Sequence, residues 1–249
     1  MARTPELGAA AGWGGNRRHL ASAGSTQQLA LAAAAAGAPE GALFTADAQT
    51  AGHGRHGHAW VSPAGAGLYA SVVLRPPGGV RHLLPLTLAS ALALADAVIE
   101  IAGVSPEIRW PNDLLLGGRK VCGILIEAEA GYAALGFGIN LQARALPPAL
   151  APEATALDAH APSPVAPEAL LAAALDQLQS RCQACYRGES AAQLAEFERR
   201  SRYARGLPVR VGGEFTGVTD GLEPEGFLRV RLADGTLRVV THGDVRPLA

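Results

Sequence analysis

A chain of 249 residues with 49% apolar content can bury a sizeable core, and it lies outside the composition of disordered chains. A formal charge of −1 excludes a nucleic-acid or polyanion binder that works through bulk charge. Three cysteines make no disulfide framework, and residues 1–20 carry Arg3, Glu6, Arg17 and Arg18 with no apolar stretch between them, so no secretory leader and a cytoplasmic location are expected.

Ser25-Thr26-Gln27-Gln28 precedes an Ala/Leu run ending at Gly37, the pattern of a capped helix. Residues 42–47 predict a short strand, and residues 68–74 (LYASVVL) a second one, ended by Arg75-Pro76-Pro77-Gly78-Gly79. A long apolar helix is expected over 84–102; its most apolar window, Leu83 to Ala95, soon meets Asp96 and Glu100, so it reads as a buried helix and no membrane partner is expected. Residues 107–110 predict a strand closed by Pro111. Gly117-Gly118 predicts a hairpin turn between 114–116 and 120–127, and a further strand covers 132–141. The Ala/Pro-rich stretch 143–167 predicts an irregular surface loop, followed by helices at about 167–187 and 189–201. Cys182 and Cys185 form a CxxC inside that helical pattern, where a plain helix is a better reading than a redox or zinc pair, and Cys122 reads as a small buried apolar residue. From Leu207 onward short alternating strands predict a small β-barrel, which divides the chain into 1–204 and 205–249.

Between the first two strands lies the most informative stretch, residues 46–60 (ADAQTAGHGRHGHAW). Glycines let a ligand approach the backbone closely, and successive N–H groups with a nearby cation can cup a phosphate or carboxylate. Three other segments carry chemistry-bearing residues: Ser25-Thr26, then Arg109 to Glu127 (RWPND…RKVCGILIE), then Gly136 to Asn140 (GFGIN). Singly, each has a bland reading. Ser25 and Thr26 are a helix cap, the Gly/His run is a surface turn, Lys120 is a solvated lysine, Trp60 is packing, and Gly136 and Gly138 mark a strand bulge.

Their order and spacing are more specific. S-T-x-Q, then Q-x-A-G-x-G-R-x-G-x-x-W-x-S-P, then W-P-N-D, R-K-x-x-G-I-L-x-E and G-x-G-I-N resembles the biotin protein ligases (biotin–[acetyl-CoA-carboxylase] ligases) from about Ser25 to Asn140, and again in the C-terminal strands. The resemblance implies an α+β fold. Its parts are a mixed central sheet with helices packed on one side, of the class II synthetase-like biotin/lipoate ligase type, and a small C-terminal SH3-like β-barrel. It also implies a two-step reaction: biotin and ATP form biotinyl-5'-AMP, and a lysine of a biotin carboxyl carrier protein then takes the biotinyl group. The expected ligands are biotin, ATP and Mg2+, and a homodimer paired through the sheet is implied.

By the same resemblance Lys120, Arg55 and Asp113 are the expected catalytic residues. Ser25, Thr26, Gln27, Gln49, Gly52, His53, Gly54, Gly123, Leu125, Gly136 and Gly138, with Arg55 and Lys120, are expected around biotin. Trp60, Asn112 and Asn140, with Arg55, Asp113 and Lys120, are expected around ATP, and Asp113 is expected to hold Mg2+. The glycines at 123, 136 and 138 are expected to leave room for biotin's chain, and Asp113 to accept the proton of the attacking lysine. The glycine-rich loop is expected to close over the labile acyl-adenylate.

The sequence departs from its family at His53, His56 and His58, which stand where arginine is usual. Free imidazole titrates near pH 6.5, so the loop is expected to clamp an anion more tightly below pH 7 than above it. Two alternatives share the fold: a bifunctional ligase and transcriptional regulator, and a lipoate–protein ligase. The 24 residues before Ser25 show no winged-helix module, so no DNA binding is expected, and the RKxxGILxE segment favours biotin over lipoate.

Overall fold

Seven short, mostly apolar segments pair into a sheet whose order brings distant stretches of chain side by side. The computed structural model describes residues 12–77, 79, 83–129 and 131–248; the leader reading on Arg3 and Glu6 and the strand stop at Gly78 lie outside them. In chain order the elements are β1 (Arg17–Leu20), α1 (Thr26–Ala35), β2 (Leu43–Ala46), β3 (Gly67–Leu74), α2 (Leu83–Ala102), β4 (Glu107–Arg109), β5 (Asp113–Leu116), β6 (Arg119–Glu129), β7 (Tyr132–Asn140), α3 (Pro167–Tyr186), α4 (Ser190–Arg200), β8 (Arg205–Val211), β9 (Phe215–Leu222), β10 (Leu228–Arg231), β11 (Leu237–Val240) and β12 (Val245–Pro247). The first sheet runs β1-β2-β3-β7-β6-β5-β4, parallel between β1 and β2 and antiparallel elsewhere, so it is mixed.

Strand alternation gives this sheet two different faces. Leu68, Val72 and Leu74 of β3 and Leu135, Phe137 and Ile139 of β7 join Leu92, Leu94 and Val98 of α2 in the main core. Val73 and Ala134 point the other way and pack with Ala30 and Ala34 of α1. Helices α2, α3 and α4 therefore cover one face. On the opposite face α1 covers only a part, with Thr26 on Ser71 and Gln27 over Gly136, while Trp60 from the β2–β3 connection lies over Gly138.

Helix α2 is longer than its apolar window suggests. At 20 residues and a mean hydropathy of 1.7 it meets the length and composition of a membrane span, yet 72% of its most apolar window is buried inside the fold, as in a core helix. It runs on past Asp96 because that carboxylate is paired with Arg181 at 2.6 Å and Arg200 at 2.7 Å, from α3 and α4.

The second sheet is antiparallel throughout, in the order β11-β10-β9-β8-β12. It shares the main core: Val209, Leu222 and Val230 belong to the same cluster as Leu88 and Trp110. Trp110 Nε1 donates to the Gly226 carbonyl at 3.0 Å, and Ser201 Oγ to that of Ile108 at 2.6 Å.

Two segments differ from the sequence expectation. Strand β1 is polar and mostly exposed, and only its pairing with β2 makes it a strand. The 143–167 stretch contains three 3-10 turns, and residues 153–155 attach to β6: Lys120 N donates to the Glu153 carbonyl at 2.8 Å and Thr155 N to the Lys120 carbonyl at 2.9 Å. The cysteines behave as expected of packing residues. Cys182 lies in α3, and burial pushes the thiols of Cys122 and Cys182 well up.

Candidate active site

A cavity of about 430 Å³ opens on the sheet face that α1 leaves uncovered, within the range of small-molecule sites. Ser25, Thr26, Gln27, Gln49, His53, Gly54, Arg55, Trp60, Asn112, Asp113, Lys120, Gly123, Leu125, Gly136 and Gly138 all line it. Four stretches far apart in sequence thus meet in one place.

The glycine-rich stretch folds as a narrow arm. Gln49 N donates to the Ser62 carbonyl, Trp60 N to that of Gly52 and Gly54 N to that of His58, so the two sides of the arm pair before a one-turn 3-10 helix at Arg55–Gly57. The tip needs left-handed backbone: His56 sits at φ 56 and Gly57 at φ +73. A chain of side chains ties the base of the arm to α1. Gln49 Oε1 accepts from Thr26 N at 2.8 Å, Gln49 Nε2 donates to Ser62 Oγ at 2.9 Å, and Thr26 Oγ1 meets Ser71 Oγ at 2.9 Å. Ser25 caps α1 by accepting from Gln28 N, so its cap role and its place on the cavity wall coexist.

The floor is built on glycine. Register pairs Arg109 with Asp113, Asp113 with Gly123 and Gly123 with Gly138, one row across four strands. Trp60 lies across the two glycines: a Cβ at Gly138 would meet its Cε2 at 2.5 Å, and one at Gly123 would meet its Cζ3 at 2.9 Å. A Cβ at Gly136 would run into Gln27 Oε1. The room these glycines leave is therefore taken by protein side chains, Trp60 and Gln27, and not by empty space, which corrects the sequence expectation. Gln27 Oε1 and Trp60 Nε1 are buried without a hydrogen-bond partner among the described residues. Each such group costs about 1–3 kcal/mol until something pairs with it.

A strand irregularity places Lys120. Pairing of β5 with β6 slips between Leu114–Cys122 and Leu115–Lys120, leaving Val121 as an extra residue. In a regular strand Lys120 and Gly123 face opposite ways; the bulge turns them to one face. Lys120 Nζ then sits 2.6 Å from Asp113 Oδ1 and 5.2 Å from the centroid of the Trp60 ring, a cation–π arrangement. Arg109 Nη2 takes the other oxygen, Asp113 Oδ2, at 2.6 Å. Burial works to raise the Asp113 pKa, but the charges and hydrogen bonds of Lys120 and Arg109 outweigh it and hold the carboxyl below its usual range.

Both Asp113 oxygens face cations, Oδ1 the ammonium of Lys120 and Oδ2 the guanidinium of Arg109, so a part for Asp113 at a magnesium ion or as proton acceptor requires one of the two to move away. Among the described residues no group of three or more His, Cys, Asp or Glu is gathered for a metal. Arg55 differs from the other cations. Its Nη1 donates to Asn112 Oδ1 at 3.2 Å, and among the described residues it has no carboxylate partner. Burial lowers its pKa while Asp113 and Asp244 act against that, and a guanidinium stays charged at neutral pH. Asn112 holds station by donating Nδ2 to the Ile124 carbonyl at 2.9 Å.

Two expected residues do not reach the cavity wall. Asn140 is buried and donates Nδ2 to the Thr155 carbonyl at 2.9 Å, which fixes the segment flanking Lys120. Gly52 sits at the base of the arm, where a Cβ would meet the Trp60 carbonyl at 2.6 Å. Conversely, Arg109, Ser71, Glu153, Asp244 and Arg246 line the cavity without having been singled out as site residues. Arg109 lies within the RWPND segment and Ser71 within the LYASVVL strand; the other three carry no local signal.

Fold and cavity match those expected of the biotin/lipoate protein ligase family. The chain belongs to the biotin/lipoate A/B protein ligase family, whose profile matches residues 21–142. It is 34% identical over 252 residues to the biotin–[acetyl-CoA-carboxylase] ligase of Mycobacterium tuberculosis, covering 96% of this chain and 91% of that one. Over 122 residues it is 42% identical to the bifunctional ligase/repressor BirA of Bacillus subtilis, covering 47% of this chain; the match spans 38% of that relative's length. Among solved structures it is similar to the biotin protein ligase of Aquifex aeolicus in complex with biotin and ATP, with a TM-score of 0.84, 26% identity, and coverage of 94% of this chain and 99% of the other.

Proposed function

We propose that this chain activates biotin with ATP and transfers the biotinyl group to a lysine of a biotin carboxyl carrier protein. The observation that carries the reading is that Lys120, the carboxylate-free Arg55 and a cluster of hydroxyl and amide groups line one cavity, in a chain similar along most of its length to a biotin–[acetyl-CoA-carboxylase] ligase. In the first step a carboxylate oxygen of biotin bonds to the α-phosphorus of ATP and pyrophosphate leaves. In the second the neutral ε-amine of the carrier lysine bonds to the acyl carbon, AMP leaves and a proton is lost.

Biotin's ring is a cyclic urea with two N–H donors and one carbonyl. The hydroxyls of Ser25 and Thr26 and the unpaired Gln27 oxygen supply partners for it. The first step brings two anions together, and preorganised cations offset that repulsion. Lys120 meets the carboxylate and α-phosphate, and Arg55, carried on the arm with its N–H groups, meets the phosphate and the acyl-adenylate. Asp113 touches no substrate; it positions Lys120. Mg2+ arrives on the phosphates of ATP as part of that substrate, since such ions are commonly held by phosphates and water with few protein ligands. We assign binding and activation to residues up to 204 and treat 205–249 as a terminal domain that completes the cavity rim.

The test is incubation with labelled biotin, ATP and Mg2+, with and without a carrier domain. Label on the carrier that requires ATP supports the reading; no such label and no biotin-dependent exchange of pyrophosphate into ATP would overturn it. Gly138→Ala should raise the KM for biotin at least about tenfold, because the new methyl displaces Trp60 from the floor; a KM within twofold of wild type would show that the floor tolerates the shift.

His53 Nε2 lies 3.4 Å from Glu127 Oε2 on β6, a contact between the arm and the sheet. Glu127→Gln is expected to speed release of the acyl-adenylate about two- to threefold, in line with a partly exposed contact. A release rate equal to wild type would rule out this latch.

A further inference from the structure

Strand β6 changes neighbours along one of its edges. From Cys122 onward that edge pairs with β7, beginning with Cys122 against Ile139. At Lys120 the partner is instead the 153–155 segment, through a single parallel bridge between Lys120 and Ala154. This segment therefore takes up both backbone groups of the residue whose ammonium enters the cavity. Lys120 N donates to the Glu153 carbonyl at 2.8 Å, and the Lys120 carbonyl accepts from Thr155 N at 2.9 Å.

Two side chains keep the segment in place. Asn140, the last residue of β7, donates Nδ2 to the Thr155 carbonyl at 2.9 Å and so spans the point where β7 stops. Thr155 is 2% exposed, and its Oγ1 lies 3.0 Å from His160 Nε2. His160 follows a 3-10 turn at Leu157–Ala159, anchored by the fully buried Leu157. Its imidazole rests against the β5–β6 turn, where a Cβ at Gly117 would stand 3.5 Å from His160 Cε1. The contacts close a circuit: Gly117 to His160, His160 to Thr155, Thr155 to Lys120, and back along the hairpin. A bulge is a local exception that a regular register competes with, and any slip here would strand the Lys120 N–H and carbonyl.

We propose that Thr155 and His160 are positioning residues for Lys120: their side-chain contact keeps the 153–155 backbone on β6 and so holds the bulge that aims the ammonium at the reacting carboxylate and α-phosphate. Neither residue lines the cavity, so both act through the lysine. A fixed charge contributes through its placement at the moment of reaction, so the effect falls on turnover more than on binding. This inference rests on the ligase reading above.

Thr155→Val keeps the shape of the side chain and removes the hydroxyl, while the half-buried His160 turns to water. Hydrogen exchange at the Lys120 amide reads the contact with no substrate present. It should be at least about tenfold faster in Thr155→Val, with the amides of β3 and the melting temperature close to wild type. In biotin-dependent pyrophosphate exchange the same variant should lose about tenfold in kcat, with the KM for biotin changed by less than about threefold. Thr155→Ser should restore both readouts, and His160→Leu, which removes the other end of the contact, should reproduce both losses. A Lys120 amide exchanging at the wild-type rate in Thr155→Val overturns the proposal, as does a kcat within twofold of wild type or a uniform speeding of exchange through both sheets. Wild-type protein with no pyrophosphate exchange fails the ligase reading and takes the catalytic role with it, while the amide result still decides whether the contact holds the bulge.

Discussion

Lys120→Ala is expected to reduce ATP-dependent labelling of a carrier domain by about 10²–10³-fold or more, the size of effect seen when one preorganised charge stabiliser is removed from a reacting anion. The loss should appear in the activation step, as slower pyrophosphate exchange. Lys120 is partly exposed and its removal leaves Asp113 still paired with Arg109, so the fold should survive with a melting transition close to that of wild type. Near-normal labelling by this variant would remove the basis for placing the biotin carboxylate and the α-phosphate beside β6. Lys120→Arg is no conservative rescue: the guanidinium is larger, and the floor beneath it is already tight, with a Cβ at Gly123 standing 3.1 Å from Lys120 Nζ.

Asp113→Asn should cost about 3–5 kcal/mol of stability, because it leaves two cations facing a neutral group in a buried place. Denaturant titration measures this directly, and a change below about 1 kcal/mol would mean that Arg109 and Lys120 find other partners. The sign with pH follows from the depressed carboxyl. A group whose folded pKa lies below its unfolded value of about 3.9 contributes its full stabilisation above that value and loses it as pH falls through the folded pKa. The Asp113 contribution is thus constant from about pH 5 upward and disappears only in strong acid. Any change in wild-type stability between pH 5.5 and 8 therefore has a source other than Asp113.

Much of the site was legible because its signals are local. A Gly-Gly pair with φ +56 and +74 at 117 and 118 makes the turn its sequence announces, and the hairpin then carries RKVCGILIE against the row containing Gly138. The capped helix at Ser25 and the glycine-rich arm were equally readable. What escaped was non-local. β1 is a polar segment that only a neighbour makes into a strand. The part of Gly123 and Gly138 in seating Trp60 depends on a side chain arriving from 60 residues or more away in sequence. Asp113 reads as a free carboxylate until Arg109 and Lys120 are seen on either side of it. Residues 153–155 looked like featureless linker, yet their backbone brackets Lys120, and Arg246 sits in a strand whose pattern speaks only of packing.

The extra residue at Val121 has a further consequence. Val121 and Cys122 are both fully buried, while Lys120 and Gly123 on either side of them belong to the cavity. A strictly alternating ribbon has no way to send two consecutive residues inward and the residues flanking them outward together. Hairpin length and reactivity are thereby tied to each other: a loop variant one residue shorter could keep its hydrophobic filling or its ammonium group in place, but not both, which makes this the point where drift in length would silence the protein without unfolding it.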